Sequence, residues 1–191
     1  MIRDLILKNR TYRRFYEEHK IELNDLIELI DLARNSGSGA NLQPLKYFIV
    51  NDEETCEKIF PCFAWAGYLK NWSGPEKGER PSAYIIILGD TEIKKDIDCD
   101  HGIAAQSILL GAVEKGLGGC MIGSINREKL KNLLKLDNKY KILLTIALGK
   151  PKEEVVIDEI KSGDVKYWRD ENGVHHVPKR SLKEIIISHK N

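Results

Sequence analysis

The stretch Ser82–Gly89 (SAYIIILG) constrains the fold of this chain most, because it runs through eight residues without a charged side chain. An unbroken apolar run of this length predicts a strand that is buried on both of its faces. Three further segments have strand patterns of their own, and they span residues 46–51, 118–122 and 140–148.

Helical patterns occupy the stretches between these strands. Leu23–Arg34 repeats apolar residues at helical spacing, with Asn24 where a cap would lie. Residues 98–115 form a longer pattern whose small residues allow another helix or a ligand to approach closely. Shorter helices are predicted at residues 1–8 and 126–134, the second capped by Asn126. Because the connections between helices and strands are irregular, the order of elements favours an α+β fold or a mixed α/β sandwich.

The sequence predicts a single domain that covers residues 1–191, in which the last fifth of the chain forms an arm. From about residue 153 onward the sequence contains a short extended piece, a turn at Asn172-Gly173 and a final helix. We expect Tyr167 and Trp168 to find little to bury against within their own subunit. That expectation hints at contact between this arm and a second copy of the chain.

Composition excludes several classes of protein. The 30 basic and 29 acidic residues give a formal net charge of +1, whereas a nucleic-acid binder normally needs a broad basic surface. No apolar run reaches the roughly 18 to 20 residues of a membrane span, and Met1–Asn9 does not resemble a signal peptide. The four cysteines show no metal-ligand spacing, and Cys120 has the setting of a core residue. We therefore expect a cytoplasmic protein without a structural metal.

The segment Asn9–Phe15 carries Arg10, Arg13 and Arg14 together with the hydroxyl of Thr11. Guanidinium groups and a hydroxyl are the donors that a phosphate monoester prefers. A solvated basic turn or a nucleic-acid patch is the favoured explanation when the segment is taken alone.

Two glycine-rich segments could present backbone to a ligand. Ser36–Pro44 combines small residues with Asn41 and Gln43, whose uncharged donors and acceptors suit a flavin edge or a ribityl chain. Gly116–Ser124 does not match a dinucleotide fingerprint, but it could offer N–H groups to a planar ring. An ordinary loop and a helix cap at Gly116 are the alternatives.

The basic segment near the end of the chain is His175-His176-Val-Pro-Lys179-Arg180. Adjacent histidines point to opposite sides of an extended chain, and no partner is spaced to complete a metal site. We expect both histidines at the surface or at an interface, and Lys179 and Arg180 within reach of a phosphate.

Taken in order, these segments resemble the nitroreductase family over nearly the whole chain. Arg10–Phe15 is similar to its R-S/T-x-R-x-F signature, and Ser38–Pro44 to its P-S-x-x-N-x-Q-P-W loop. Residues 104–119 and 178–186 resemble its central helix with the following glycines and its closing basic motif. The chain departs from the family at Asn9, Gly37 and Leu45.

The resemblance implies an α+β homodimer with a mainly antiparallel sheet, helices on its flanks and an arm exchanged between subunits. It also implies two FMN sites at the dimer interface, each lined by both subunits. The implied cofactor-binding residues are Arg10, Thr11, Arg13, Ser38, Asn41, Gln43, Met121, Ile122, Gly123, Lys179 and Arg180. Of these, Ser38 and Asn41 would reach the flavin of the partner subunit.

The activity implied is hydride transfer from NAD(P)H through bound FMN to a small organic acceptor such as a nitroaromatic or a quinone, in a ping-pong scheme. The flavin supplies the chemistry, so no catalytic residue is assigned. An insert with the aromatic residues Trp65, Tyr68 and Trp72 could cover the pocket, or these residues could belong to the core or the dimer interface. The candidate substrate-binding residues of the insert are Trp65, Tyr68, Lys70 and Asn71. A flavin- or nucleotide-binding module without turnover, and a relative with dehalogenase or dehydrogenase chemistry, remain as alternatives.

Overall fold

A computed structural model describes residues 1–160 and 163–188 of the chain. The helices are α1 (Ile2–Lys8), α2 (Leu23–Arg34), α3 (Glu53–Ile59), α4 (Asp100–Glu114), α5 (Arg127–Leu133) and α6 (Leu182–Ile185). The strands are β1 (Phe15–Tyr16), β2 (Leu45–Val50), β3 (Ala83–Asp90), β4 (Gly118–Ile122), β5 (Tyr140–Pro151), β6 (Val155–Glu159), β7 (Trp168–Arg169) and β8 (His175–Lys179).

Strand β3 is buried along its entire length, as its composition predicts. Its alternate side chains enter two separate cores, one on each face of the sheet. Ile85 and Ile87 pack with α2 and α4, whereas Tyr84, Ile86 and Leu88 pack with the opposite core, which includes α3. The sheet is therefore covered on both faces, so a ligand-binding site has to lie at its edges or in its loops.

The main sheet has the strand order β1-β5-β3-β2, and every pair in it is antiparallel. Strand β4 also pairs with β5, and Gly118 lies opposite Gly149. Because β5 is bordered by β3 on one edge and by β4 on the other, it forms the centre of the sheet. The prediction of an α+β fold with a mainly antiparallel sheet is confirmed.

Helices α2 and α4 pack side by side on one face of the sheet. A Cβ at Gly111 would lie 2.4 Å from the side chain of Leu32, so this glycine allows the close approach that the small residues of the helix predict. Asn126 caps α5 as expected and accepts a hydrogen bond from the Lys129 amide. The cap expected at Asn24 is wrong, because α2 begins after Glu22.

The arm forms a second sheet with the order β6-β8-β7, in which β6 and β8 are parallel. It packs on its own chain, since Glu153 and His175 have side chains that are almost fully buried. Tyr167 is half-buried against Tyr68, His175 and Arg13, so the expectation that it finds little to bury against is wrong, whereas Trp168 remains 44% exposed. The predicted final helix is short, and residues 189–191 lie outside the described part of the chain.

Within the described residues, the helices are all too short or too polar to cross a bilayer.

The close contact of β4 and β5 leads to a prediction about Gly119. A Cβ at this position would lie 2.5 Å from the Ala147 carbonyl oxygen and 2.7 Å from the Leu109 side chain. Gly119→Ala should therefore lower the free energy of unfolding by about 1–3 kcal/mol, measured by urea denaturation. Gly102→Ala is the matched control, because it has open space in α4 and should stabilise by up to about 1 kcal/mol. A Gly119→Ala protein as stable as the unaltered one would contradict this packing.

Candidate active site

The arginine motif lies directly against the glycine segment, although more than a hundred residues separate them. Thr11 forms a parallel bridge with Gly119, and the Tyr12 amide donates a hydrogen bond of 3.0 Å to the Gly119 carbonyl oxygen. The Tyr12 ring covers Gly118, where a Cβ would lie 2.5 Å from it. These contacts place Arg13 beside Met121, the exposed residue of β4.

A cavity of about 240 Å³ opens at this junction. Its lining consists of Arg13, residues 64–67 of the aromatic insert, residues 120–124 and Tyr167 of the arm. It thus brings together five of the predicted site residues: Arg13, Trp65, Met121, Ile122 and Gly123. Small-molecule sites usually enclose roughly 300–1,000 Å³, so a ligand as large as a flavin extends beyond this cavity.

The guanidinium of Arg13 has no carboxylate partner among the described residues. Its Nη1 lies 3.3 Å from the His175 Nε2, and its centre lies 4.9 Å from the Tyr167 ring. The backbone is fixed separately, because the amides of Arg13 and Arg14 both donate to the Glu153 carboxylate. The positive charge of Arg13 therefore remains available to an anionic or electron-rich ligand.

His175 is completely buried within one chain, which corrects the expectation of a histidine at the surface or at an interface. Burial, together with the nearby charges of Arg13, Arg169 and His176, lowers its pKa to about 4. The ring is therefore neutral at physiological pH. Because a guanidinium can only donate, Nε2 accepts the bond from Arg13, and the ring proton lies on Nδ1.

His176 faces the other side of β8 and bridges the neighbouring strands. Its Nδ1 lies 2.7 Å from Asp158, its Nε2 lies 3.5 Å from Asp170, and its ring stacks on Trp168 at 4.8 Å. The hydrogen bond with Asp158, then that with Asp170, raises its pKa above the ordinary value. Carboxylate partners thus exist where the sequence indicated none, but the described residues contain no group of three ligands suited to a metal.

Arg10, Lys179 and Arg180 lie outside the cavity. Arg10 donates from Nη2 to the Ile6 carbonyl oxygen at 2.7 Å, and its Nε is buried without a partner among the described residues. Arg180 lies 3.3 Å from Glu184 on α6, and Lys179 is exposed opposite Glu159. Arg13 is therefore the only one of the predicted phosphate ligands that lines this cavity in the described part of the chain.

The loop Ser38–Gln43 is held in an unusual conformation by Asp100. The Asp100 carboxylate accepts from the Ser38 hydroxyl at 2.6 Å and from the Gly39 amide at 3.1 Å. The hydrogen bond from Ser38 contributes most to lowering the pKa of Asp100. Three non-glycine residues of the loop have φ between 51° and 55°, and they are Ala40, Asn41 and Gln43. Such strain persists where surrounding structure enforces it, and it is common at ligand-binding loops.

This loop does not line the Arg13 cavity. Ser38 and Gln43 instead border a separate cavity of about 290 Å³ between α2, β2 and the start of α4. The structure therefore does not bring Ser38, Asn41 and Gln43 together with Arg13 and Gly123 inside a single chain.

The aromatic insert connects the cavity to the arm. Trp65 lines the cavity and also belongs to a buried core. The Tyr68 ring lies 4.9 Å from that of Tyr167, and the Trp72 ring lies 4.3 Å from the Arg169 guanidinium. Lys70 and Asn71 are exposed and lie outside the cavity. The structure therefore gives no support to a role for these two polar residues in this cavity.

The sequence gives no site role to Glu153, Tyr167 or His175 near the cavity, nor to Asp100, which holds the separate loop Ser38–Gln43. Asp100 offered a weak signal as an acid at a helix start. The other three contact residues far away in sequence, and no local pattern identifies such contacts.

The donors around the cavity fit the group that the family resemblance implies. Arg13 offers a cation, and a Cβ added at Gly123 or Gly67 would meet no described atom within 4 Å, so the backbone there is open to a ligand. The Cys120 thiol beneath is buried, and burial raises its pKa to about 11, so it stays protonated. A site of donors and open backbone suits an electron-rich ring such as that of FMN.

The fold and this site define an α+β protein with a donor-rich cavity where the N-terminal arginine motif meets a glycine-rich strand. The chain belongs to the nitroreductase family, whose family model matches residues 6–150.

Individual relatives agree with that assignment. The chain is 28% identical over 151 residues to an Archaeoglobus fulgidus protein named as an NADH dehydrogenase/NAD(P)H nitroreductase, covering 74% of this chain and 80% of the relative. It is 26% identical to iodotyrosine deiodinase of Thermotoga neapolitana, with 79% and 89% of the two chains covered. An FMN-dependent nitroreductase structure from Clostridium difficile R20291 matches with 26% identity and a TM-score of 0.64, covering 78% and 87%.

The bridge formed by His176 leads to a pH prediction for the arm. Because its pKa is raised in the folded state, its stabilising contribution is complete below the ordinary value of 6.5 and is lost as pH rises through the raised pKa. The unaltered protein should exceed His176→Gln in unfolding free energy at about pH 5.5, and the difference should shrink as the pH rises above 6.5 through the raised pKa of His176. Urea denaturation at several pH values measures this. A difference that does not change with pH would contradict the bridge.

Proposed function

We propose that this chain binds FMN and acts as an NAD(P)H-dependent oxidoreductase that reduces a small organic acceptor such as a nitroaromatic or a quinone. The observation that carries the proposal is the cavity in which Arg13 lies beside Met121–Gly123. Membership of the nitroreductase family supports the same function.

The residues of the chain would bind and orient the cofactor rather than take part in bond making. When bound, FMN supplies hydride acceptance and donation. Arg13 offers a positive charge that favours the electron-rich reduced ring, and the open backbone at Gly123 can contribute an N–H donor. Trp65 forms an apolar wall that excludes water from that region.

A ping-pong sequence is part of the proposal, because the nicotinamide and the acceptor would each exchange hydride with the same flavin in turn. The oxidised nicotinamide would leave before the acceptor enters the same place. Neither half-reaction then requires a catalytic acid from the chain.

The complete site is proposed to form in a homodimer. In one chain the loop Ser38–Gln43 and the cations Lys179 and Arg180 lie outside the Arg13 cavity. A second copy could supply Ser38 and Asn41 of this loop, as the family resemblance implies. Large apolar side chains exposed on helices of one chain support this pairing, and they include Ile6, Leu7, Ile27, Leu32, Leu182 and Ile185.

Reductive dehalogenation of a halogenated phenol is the second candidate. It is favoured by the similarity to the Thermotoga neapolitana protein named iodotyrosine deiodinase. The aromatic residues Trp65 and Tyr167 at the cavity would suit a phenolic ring. Release of halide from a halophenol, compared with consumption of a quinone by the same preparation, distinguishes the two.

The proposed function predicts the behaviour of the visible flavin spectrum. Purified protein reconstituted with FMN should lose its flavin absorption band when NADH or NADPH is added without oxygen, and a quinone should restore it. A bound flavin that neither nucleotide reduces would favour a binding module over a reductase. Protein that takes up no FMN would contradict the proposal.

Arg13→Gln should weaken FMN binding about tenfold, because a charge-assisted hydrogen bond contributes roughly 1.5–3 kcal/mol. Quenching of flavin fluorescence gives the dissociation constant. Arg3→Gln is the matched control, since Arg3 is exposed on α1 away from the cavity and should bind FMN normally. Equal affinities for the two variants would remove Arg13 from the site.

A further inference from the structure

Two side chains of the arm contact the guanidinium of Arg13. The His175 Nε2 lies 3.3 Å from its Nη1, and the Tyr167 ring lies 4.9 Å from its centre. These two aromatic residues also contact each other, with ring centroids 5.2 Å apart. The arm thus holds one edge and one face of the guanidinium, while Arg13 still lines the cavity.

His175 is itself firmly fixed. It begins β8, the central strand of the arm sheet, and its amide donates to the Glu154 carbonyl oxygen at 2.9 Å. Its side chain has no exposed surface, so it cannot turn toward solvent. Its partner Tyr167 is anchored to the insert, since its hydroxyl lies 3.4 Å from the Tyr68 amide.

We propose that His175 is a positioning residue, which with Tyr167 holds the Arg13 guanidinium in the orientation that a flavin in the adjacent cavity requires. This inference rests on the proposed function, because it assumes that the flavin lies against Arg13. The C-terminal arm would then contribute to cofactor binding indirectly, by holding Arg13 against the flavin.

The physical reason is the cost of ordering a long side chain. A free arginine side chain carries about 2 kcal/mol of rotamer entropy, which a ligand must overcome on binding. Contacts made before the ligand arrives reduce that cost. An unheld Arg13 could also turn toward the Glu153 carboxylate, which already accepts its backbone N–H, and its charge would then be neutralised.

A double-mutant cycle tests this coupling. His175→Leu removes the acceptor, His175→Gln retains one in its side-chain oxygen, and Arg13→Gln removes the cation. Each His175 variant is made in the unaltered and in the Arg13→Gln background. The readouts are the dissociation constant for FMN, from fluorescence quenching, and the reduction potential of the bound flavin.

We expect His175→Leu to weaken FMN binding about tenfold and to make the flavin potential more negative, as a displaced cation would. His175→Gln should stay within about threefold of the unaltered protein. In the Arg13→Gln background, His175→Leu should change the affinity by less than about twofold, because the residue it positions is already gone.

Equal loss of affinity from His175→Leu in both backgrounds would overturn the positioning role and leave His175 as packing alone. If Arg13→Gln does not weaken FMN binding, the flavin lies elsewhere, and the proposed site fails together with this inference. If His175→Leu does not fold, Tyr167→Leu takes its place in the cycle, with the same expected coupling and the same contradicting result.

Discussion

The buried carboxylate of Glu153 joins the parts of the molecule on which the candidate site depends. Its side chain is 1% exposed, yet it accepts from the backbone amides of Arg13 and Arg14 and from the Arg169 side chain at 2.8 Å. A buried charge is tolerated only when such partners compensate its desolvation. Because Glu153 follows closely after β5, the central strand, the arginine motif and the arm are fixed relative to one another.

The arm gains its importance from this anchoring. Arg169, held by Glu153, lies over the Trp72 ring, and Tyr167 lies against Tyr68. The aromatic insert and the arm therefore pack against each other, and each contributes residues to the cavity lining. An exchange of arms between two subunits, which the family resemblance implies, would have to reproduce these contacts across the interface.

Local sequence patterns were sufficient to predict helices and strands, but not the long-range side-chain contacts of the site. Strand β3 and helix α2 follow from hydrophobic patterns within their own segments, and Arg13 and Gly123 follow from motifs. The burial of His175 could not be foreseen, because its partner Arg13 lies 162 residues away. The hydrogen bond from Ser38 to Asp100 joins residues 62 positions apart, so it also depends on the tertiary fold. Strand geometry places the rings of His175 and His176 on opposite sides of β8. The sequence predicts this alternation, but it does not identify which of the two rings faces inward.

A crystal structure of the protein grown with FMN tests most directly whether a flavin ring lies between Arg13 and the backbone of Met121–Gly123. We predict density for the isoalloxazine ring in that cavity, with the Arg13 guanidinium in contact with the ring or the ribityl chain. FMN bound elsewhere, with Arg13 still turned only toward His175 and Tyr167, would contradict the proposed site.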